Sequence, residues 1–151
     1  MLNDLHDSFF QATKNVFQLM LDLSDISEQP TEAFTYEDAL DISIGVIGEL
    51  TGEVIYRFPR NTSLGMVKIM SGMELDTIDD FVTSAISEIA NIISGNVLTL
   101  LAEQDVKCDI LPPVFAKPDD SKQYTLHTDC CLSTSAGDVC LDIRLNPTES
   151  V

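Results

Sequence analysis

Apolar residues recur at helical spacing in two long segments of the chain. The first segment covers residues 1–23 and predicts a long amphipathic helix, whose apolar stripe consists of Leu2, Leu5, Phe9, Val16, Met20 and Leu23, widened by Phe10, Phe17 and Leu21. The second begins at Asp79 and Asp80, whose negative charge suits a helix N-terminus, and continues to about Glu103. Its stripe follows intervals of three and four residues and consists of Val82, Ile86, Ile89, Ile93, Val97 and Leu100. Each helix therefore has one face that must be buried.

Between the two helices, alternating apolar positions predict a β-hairpin over residues 41–58, with its turn at residues 49–52. A short helix should follow, capped by Thr62 or Ser63 and ending near Gly72. This part of the chain therefore supplies two strands and one further helix.

Strands are also predicted after the second long helix. The stretch DVKCDIL reads as one strand, ended by Pro112 and Pro113. QYTLHTDCCLSTS and GDVCLDIRL read as a second hairpin with its turn at residues 136–138. The polar stretches at residues 24–34 and 117–122 read as loops.

The element order is helix, hairpin, short helix, long helix, strand, hairpin. It predicts an α+β fold with a largely antiparallel sheet packed against the long helices. We expect one domain over residues 1–146 and a frayed C-terminal tail over residues 147–151. The sequence has no βαβ repetition, no glycine-rich phosphate loop, and neither the HExxH nor the GxSxG signature of common hydrolases.

Composition narrows the range of partners. The chain has 151 residues, 44% of them apolar, which suits one domain with a hydrophobic core. Its N-terminus lacks the pattern of a signal peptide and no uninterrupted apolar run is long enough for a bilayer, so we expect a cytoplasmic protein without a membrane partner. The net charge of −17 argues against nucleic acid. It suits a partner with a basic or metal-bearing docking face, or it serves only solubility.

Four cysteines are present: Cys108, Cys130, Cys131 and Cys140. They form no CxxC pair, and a reducing cytosol disfavours disulfides, so we expect free thiols that fill strand positions. His127 and Asp129 lie close to Cys130 and Cys131, but strand alternation is expected to scatter these side chains. We therefore predict no metal site.

A second stripe on the long helix is polar. It consists of Ser84, Glu88, Asn91, Gly95 and Thr99, flanked by Ser87 and Ser94, and lies about 200° around the helix from the apolar stripe. The carboxylate of Glu88 and the amide of Asn91 are neighbours three residues apart, surrounded by small groups. This stripe is either a contact site for another molecule or an ordinary solvated helix face.

The stretch SAISEIAN, which contains Ser84, Glu88 and Asn91, resembles the signature of the CheC/CheX/FliY phosphatase family. That family has Asp or Ser, then Glu, then Asn on one helix, and a proline some twenty residues later. Pro112 and Pro113 lie close to that place, and we assign them no role. The wider element order resembles CheX in particular, over nearly the whole chain.

The resemblance also implies two degenerate, pseudo-symmetric halves. Ser8, Ala12 and Asn15 on the first helix repeat the spacing of the second stripe, with alanine in place of the glutamate. The family pattern would make this a relic site beside one working site. Coincidence between two amphipathic helices is the alternative.

The activity that the resemblance implies is hydrolysis of the phospho-aspartate of a CheY-like response regulator. Asn91 would position the attacking water, and Glu88 would dock against a lysine of the receiver. Ser84, Ser87 and Gly95 would form the partner-binding surface. The chain itself would bind no cofactor, because Mg²⁺ belongs to the receiver, and it would form a homodimer through sheet edges.

Two other functions fit the same residues. One is a non-catalytic acidic interaction module of a chemotaxis, flagellar-switch or other two-component pathway. The other is an acidic dimeric scaffold in which the polar helix face packs on a second copy of itself.

Overall fold

A computed structural model describes residues 2–29, 39–116 and 121–148. Its three helices are α1 (Leu2–Leu21), α2 (Arg60–Ser71) and α3 (Asp80–Glu103). Its strands are β1 (Ser27–Gln29), β2 (Leu40–Gly48), β3 (Leu50–Phe58), β4 (Cys108–Ile110), β5 (Val114–Phe115), β6 (Leu126–Thr134) and β7 (Gly137–Pro147). The predicted order of elements is confirmed, with β1 and β5 added to it.

The strands form one sheet in the order β1-β6-β7-β3-β2-β4, and β5 also pairs with β2. All pairings among the described strands are antiparallel, as predicted. The order reflects a duplicated plan, because each half of the chain runs from a long helix through a short strand into a hairpin. In each half, the short strand pairs with the outer strand of the other half's hairpin: β1 pairs with β6, and β4 pairs with β2.

The long helices pack on one face of this sheet. Alternate residues of β3 and β7 point into the core between the layers, among them Val54, Tyr56, Leu141 and Ile143. From α3 the core receives Val82, Ile86, Ile89, Ala90, Ile93, Val97 and Leu101. The predicted apolar stripe is therefore the buried face of α3, except that Leu101 rather than Leu100 completes it.

By length and apolar composition alone, α3 would suffice to cross a membrane, the one such helix in the described part of the chain. Here it contributes eight buried residues to the interior of the domain, so its apolar character is explained by packing against the sheet.

Helix α2 begins earlier than predicted. It starts at Arg60 after Pro59, whose fixed φ suits the entry to a helix. Thr62 and Ser63 are not caps but buried residues inside the first turn, and the Thr62 hydroxyl donates a hydrogen bond of 2.8 Å to the carbonyl of Asp138. The predicted end at Gly72 is confirmed, since Gly72 adopts a φ of 75° and its N–H donates to the Lys68 carbonyl.

Both hairpin turns lie slightly earlier than predicted. The first turn is at Glu49 alone rather than residues 49–52, because Gly48, the last residue of β2, adopts a φ of 117° that allows β3 to begin at Leu50. The second turn is at Ser135 and Ala136. The predicted loop over residues 24–34 contains β1, and its residues 30–34 lie outside the described part of the chain, as do residues 117–120.

The C-terminal boundary is also later than predicted. Strand β7 extends to Pro147, and the N–H of Thr148 donates a hydrogen bond of 2.8 Å to the carbonyl of Glu49. Pro147 therefore belongs to the sheet, and Thr148 is hydrogen-bonded to the turn between β2 and β3 rather than lying in a frayed tail. Residues 149–151 lie outside the described ranges.

The expectation of four free thiols is wrong. Cys131 and Cys140 are directly opposite each other on β6 and β7 and form a disulfide. Both side chains are buried on the sheet face that points away from α3, so the bond lies outside the core between helices and sheet. Cys108 and Cys130 are free, and burial raises the pKa of the Cys130 thiol to about 12.

Candidate functional site

The N-terminus of α3 is fixed by a side-chain cap. Asp79 has extended backbone geometry, and its carboxylate accepts a hydrogen bond of 3.0 Å from the N–H of Val82. This arrangement satisfies one of the free amide groups of the first turn and places negative charge at the positive end of the helix. The cap defines where the helix begins and therefore which way each following side chain points.

The polar stripe of α3 faces outward. Ser84, Glu88 and Thr99 are exposed, while Ser87, Asn91 and Gly95 are half-buried. Within the described residues, no hydrogen bond or ion pair engages the side chain of Glu88 or Asn91. A carboxylate and an amide three residues apart on a helix are neighbours, so both groups are available together to another molecule.

Ser94 does not belong to this face. Its side chain is 3% exposed, and its hydroxyl lies 2.7 Å from the phenol oxygen of Tyr56 on β3. Burial raises the pKa of Tyr56 well above its usual range, although the hydrogen bond to Ser94 acts in the opposite direction. Leaving one partner of such a buried pair unsatisfied costs about 1–3 kcal/mol. Ser94 thus fixes α3 to β3 at a position between the polar and the apolar stripe.

Gly95 is open toward solvent. A β-carbon built on it would meet no atom within 4 Å, apart from its own helix backbone and chain neighbours. Packing inside the chain therefore does not require glycine, although mid-helix glycine costs about 1 kcal/mol relative to alanine. The missing side chain leaves space beside Asn91 that an approaching surface can use.

The proposed relic site is not a matching surface. Ser8 is 6% exposed and Ala12 is completely buried, so two of its three members face the core. The amide of Asn15 accepts a hydrogen bond of 2.8 Å from Gln11. The two halves of the chain therefore repeat the same order of elements. On α1, however, Ser8, Ala12 and Asn15 do not form an exposed face like that of Ser84, Glu88 and Asn91 on α3.

The polar stripe lies on the outward side of α3 rather than in the depression that the domain forms at one end of this helix. A depression of about 390 Å³ lies near the C-terminal end of α3, lined by Asp4, Leu5, Leu50, Leu101, Gln104 and Val106. None of the stripe residues lines it. Pro112 and Pro113 lie between β4 and β5 at the edge of the sheet. Small molecules are usually bound in concave apolar pockets, so the exposed pair suits a protein surface better.

His127, Asp129 and Asp142 do converge, contrary to the sequence expectation. His127 and Asp129 are two residues apart on β6 and share a face, and the potential ligand atoms of the three residues lie within 4.8 Å of one another. Arg144 already pairs with the Asp142 carboxylate at 2.9 Å, and His127 bonds to it at 2.9 Å. Partial burial, assisted by the nearby charge of Asp142, raises the pKa of Asp129. The absence of a bound metal in solution stays a prediction.

Known proteins resemble this chain in both sequence and fold. The family model described as "Chemotaxis phosphatase CheX" matches residues 42–134, a range that contains Ser84, Glu88 and Asn91. The chain belongs to the CheX family. This CheX-family chain is 35% identical over 80 residues to the CheY-P phosphatase CheX of Thermotoga maritima. That match covers 52% of this chain and 52% of the relative, so it spans about half the length of the curated protein.

Solved CheX structures share the whole architecture. CheX from Vibrio vulnificus superposes with a TM-score of 0.80 at 21% identity, covering 93% of this chain and 95% of that one. CheX in the CheX–CheY–BeF₃–Mg²⁺ complex from Borrelia burgdorferi superposes with a TM-score of 0.67 at 20% identity, covering 93% and 96%. These matches confirm the predicted CheX-like fold.

One exposed residue on the same face of α3 had no place in the sequence prediction. Phe81 is 47% exposed and precedes Glu88 by seven residues, a spacing that returns a helix to nearly the same side. The seven-residue spacing from Phe81 to Glu88 was visible in the sequence, but a phenylalanine in a helix rich in apolar residues is ordinarily assigned to the core. In this CheX-family fold, the core face of α3 begins at Val82 instead.

Proposed function

We propose that this CheX-family protein is a phosphatase that hydrolyses the phospho-aspartate of a CheY-like response regulator. The observation that carries the proposal is the exposed Glu88–Asn91 pair on α3, which makes no hydrogen bond or ion pair within the described residues. The relatives support it, since one is a CheY-P phosphatase and another occurs in a complex with CheY.

Hydrolysis of an acyl phosphate requires few catalytic groups from such a protein. The aspartate carboxylate is already a good leaving group, and the receiver carries its own Mg²⁺ and lysine at the site. What remains is to hold a water molecule in line with the phosphorus. The water oxygen forms the new P–O bond while the bond to the aspartate oxygen breaks, giving a free carboxylate and inorganic phosphate. No nucleophile or cofactor on this chain takes part.

Asn91 positions this water. Its amide oxygen accepts a hydrogen bond from the water, while its NH₂ group donates to the phosphoryl group or the receiver backbone. The amide is not a strong base, so it acts by orientation rather than by removing a proton. Its half-buried position limits the number of side-chain rotamers, which favours a defined water geometry.

Glu88 docks the receiver. Its carboxylate pairs with the receiver lysine next to the phosphoryl group, which fixes the register of the two proteins and disfavours surfaces without a cation there. Ser84, Ser87 and Gly95 present only small groups beside the pair, so the receiver backbone can come close to α3. The net charge of −17 attracts a partner with a positive docking face.

Turnover tests this proposal. A sub-stoichiometric amount of the protein, mixed with a ³²P-labelled CheY receiver, should clear all of the label faster than the receiver's own decay. Clearance that stops at one equivalent, or a decay rate equal to that of the receiver alone, would contradict the proposal. Either result, combined with measurable binding, would identify the non-catalytic interaction module instead.

We further infer a cytoplasmic homodimer that associates through a sheet edge, since an unpaired edge strand invites pairing. The β4–β5 edge is the better candidate, because exposed apolar side chains gather there: Ile47, Leu111, Val114 and Phe115. Light scattering should give the mass of a dimer for the wild type and a lower mass for Phe115→Lys. A monomeric wild type at micromolar concentration would exclude this assembly.

A further inference from the structure

Phe81 continues the polar stripe toward the N-terminus of α3. At 100° per residue, its seven-residue offset places it about 20° around the helix from Glu88 and roughly 10 Å along the axis. Ser84 lies between them on the same side. The outward face of α3 therefore presents, in order, an aromatic ring, a small hydroxyl group, a carboxylate and an amide.

The ring of Phe81 does not pack into the core of the domain. Phe81 is 47% exposed, whereas its neighbour Val82 is completely buried and starts the core face. Exposed apolar residues are common on protein surfaces, and a single one does not by itself indicate a binding site. Phe81 differs because it is continuous with a face whose polar groups are also unengaged, and because the Asp79 cap fixes its direction.

We propose that Phe81 is the apolar anchor of the receiver-binding surface and a specificity-determining residue of the reaction. This inference rests on the proposed phosphatase function. The occupant is the phosphorylated receiver, which must offer an apolar depression roughly 10 Å from the lysine that Glu88 contacts, to match the spacing from Phe81 to Glu88. Aromatic side chains seated in such pockets carry a large share of the binding energy of protein interfaces.

The arrangement separates recognition from chemistry. Phe81 lies too far from Asn91 to touch the water or the phosphoryl group, so it acts on docking alone. A receiver with a charged side chain at the matching position would have to bury that charge against the ring, and it would bind more weakly for this reason. Phe81 therefore distinguishes between receivers that share the same phosphorylation chemistry.

Kinetics of Phe81→Ala test the proposal. For a CheY receiver, KM should rise about 10-fold or more while kcat changes less than about 2-fold, because truncation of an aromatic anchor removes binding that is uniform along the reaction. Phe81→Leu should recover most of the loss. Ile69→Ala is the matched control, since Ile69 is 45% exposed on α2, and it should leave both constants unchanged.

An unchanged KM for Phe81→Ala would overturn the proposal. So would a fall in kcat without a change in KM, or an equal effect of Ile69→Ala. The wild type and Asn91→Ala, run alongside, separate this result from a failure of the phosphatase function itself. If the wild type shows no turnover, calorimetric titration with a receiver loaded with beryllofluoride and Mg²⁺ tests Phe81 instead. A higher Kd for Phe81→Ala than for the wild type would support the anchor role, and an unchanged Kd would overturn it.

Discussion

Replacing Asn91 with alanine is expected to reduce the phosphatase kcat by about 100-fold or more, toward the receiver's own rate of decay. The variant removes the group that holds the water in line, while the docking surface around Glu88 and Phe81 stays intact. Binding of the phosphorylated receiver should therefore change little. Steady-state release of inorganic phosphate gives kcat, and titration with a beryllofluoride-loaded receiver gives the affinity.

Two further variants make the Asn91 result specific. Asn61→Ala removes an exposed amide from α2 and should leave kcat unchanged. Asn91→Gln keeps the amide but moves it outward by one methylene, so it should recover little activity if the water position matters. Full activity in Asn91→Ala would show that another group orients the water.

Replacing Glu88 with alanine should affect both docking and turnover. We expect KM to rise about 10-fold or more, since one partner of a charge pair buried at the interface is lost and the receiver lysine is left unpaired. A fall in kcat should accompany this change, because the register that brings Asn91 to the phosphoryl group is no longer fixed. Initial rates across a range of phosphorylated receiver concentrations separate the two constants.

Charge and position can be distinguished for Glu88. Glu88→Gln keeps the shape of the side chain but removes its charge, so it should reproduce the rise in KM and weaken the salt dependence of association. Glu103→Ala removes an exposed carboxylate from the far end of the same helix and should have little effect. An equal effect of Glu103→Ala would attribute the change to the overall field of this acidic protein instead.

The long helices and the outward face of α3 were predictable because large apolar residues recur over many turns. A stripe that long determines one buried side, and the opposite side follows from helix geometry alone. Ser94 was misplaced because it lies between the two stripes, where periodicity does not distinguish a buried side chain from an exposed one. Its position was decided by a hydrogen-bond partner, Tyr56, that is distant in sequence.

The short strands and the disulfide could not be predicted for a different reason. Strands β1 and β5 contain three and two residues, and they exist because β6 and β2 offer free edges. Strand register depends on the position of the turn. A turn centred on Gly137 would place Cys131 opposite Ile143, whereas the observed turn at Ser135 and Ala136 places it opposite Cys140. A shift of the turn by one or two residues therefore decides whether Cys131 and Cys140 are free thiols or form a disulfide.

Single-turnover decay of a labelled phospho-receiver, with the protein in saturating excess, tests the central claim most directly because binding no longer limits the rate. The receiver bound to wild-type protein should lose its phosphoryl group far faster than the free receiver. The receiver bound to Asn91→Ala should decay at nearly the rate of the free receiver. A saturated Asn91→Ala complex that decays as fast as the wild-type complex would contradict the account.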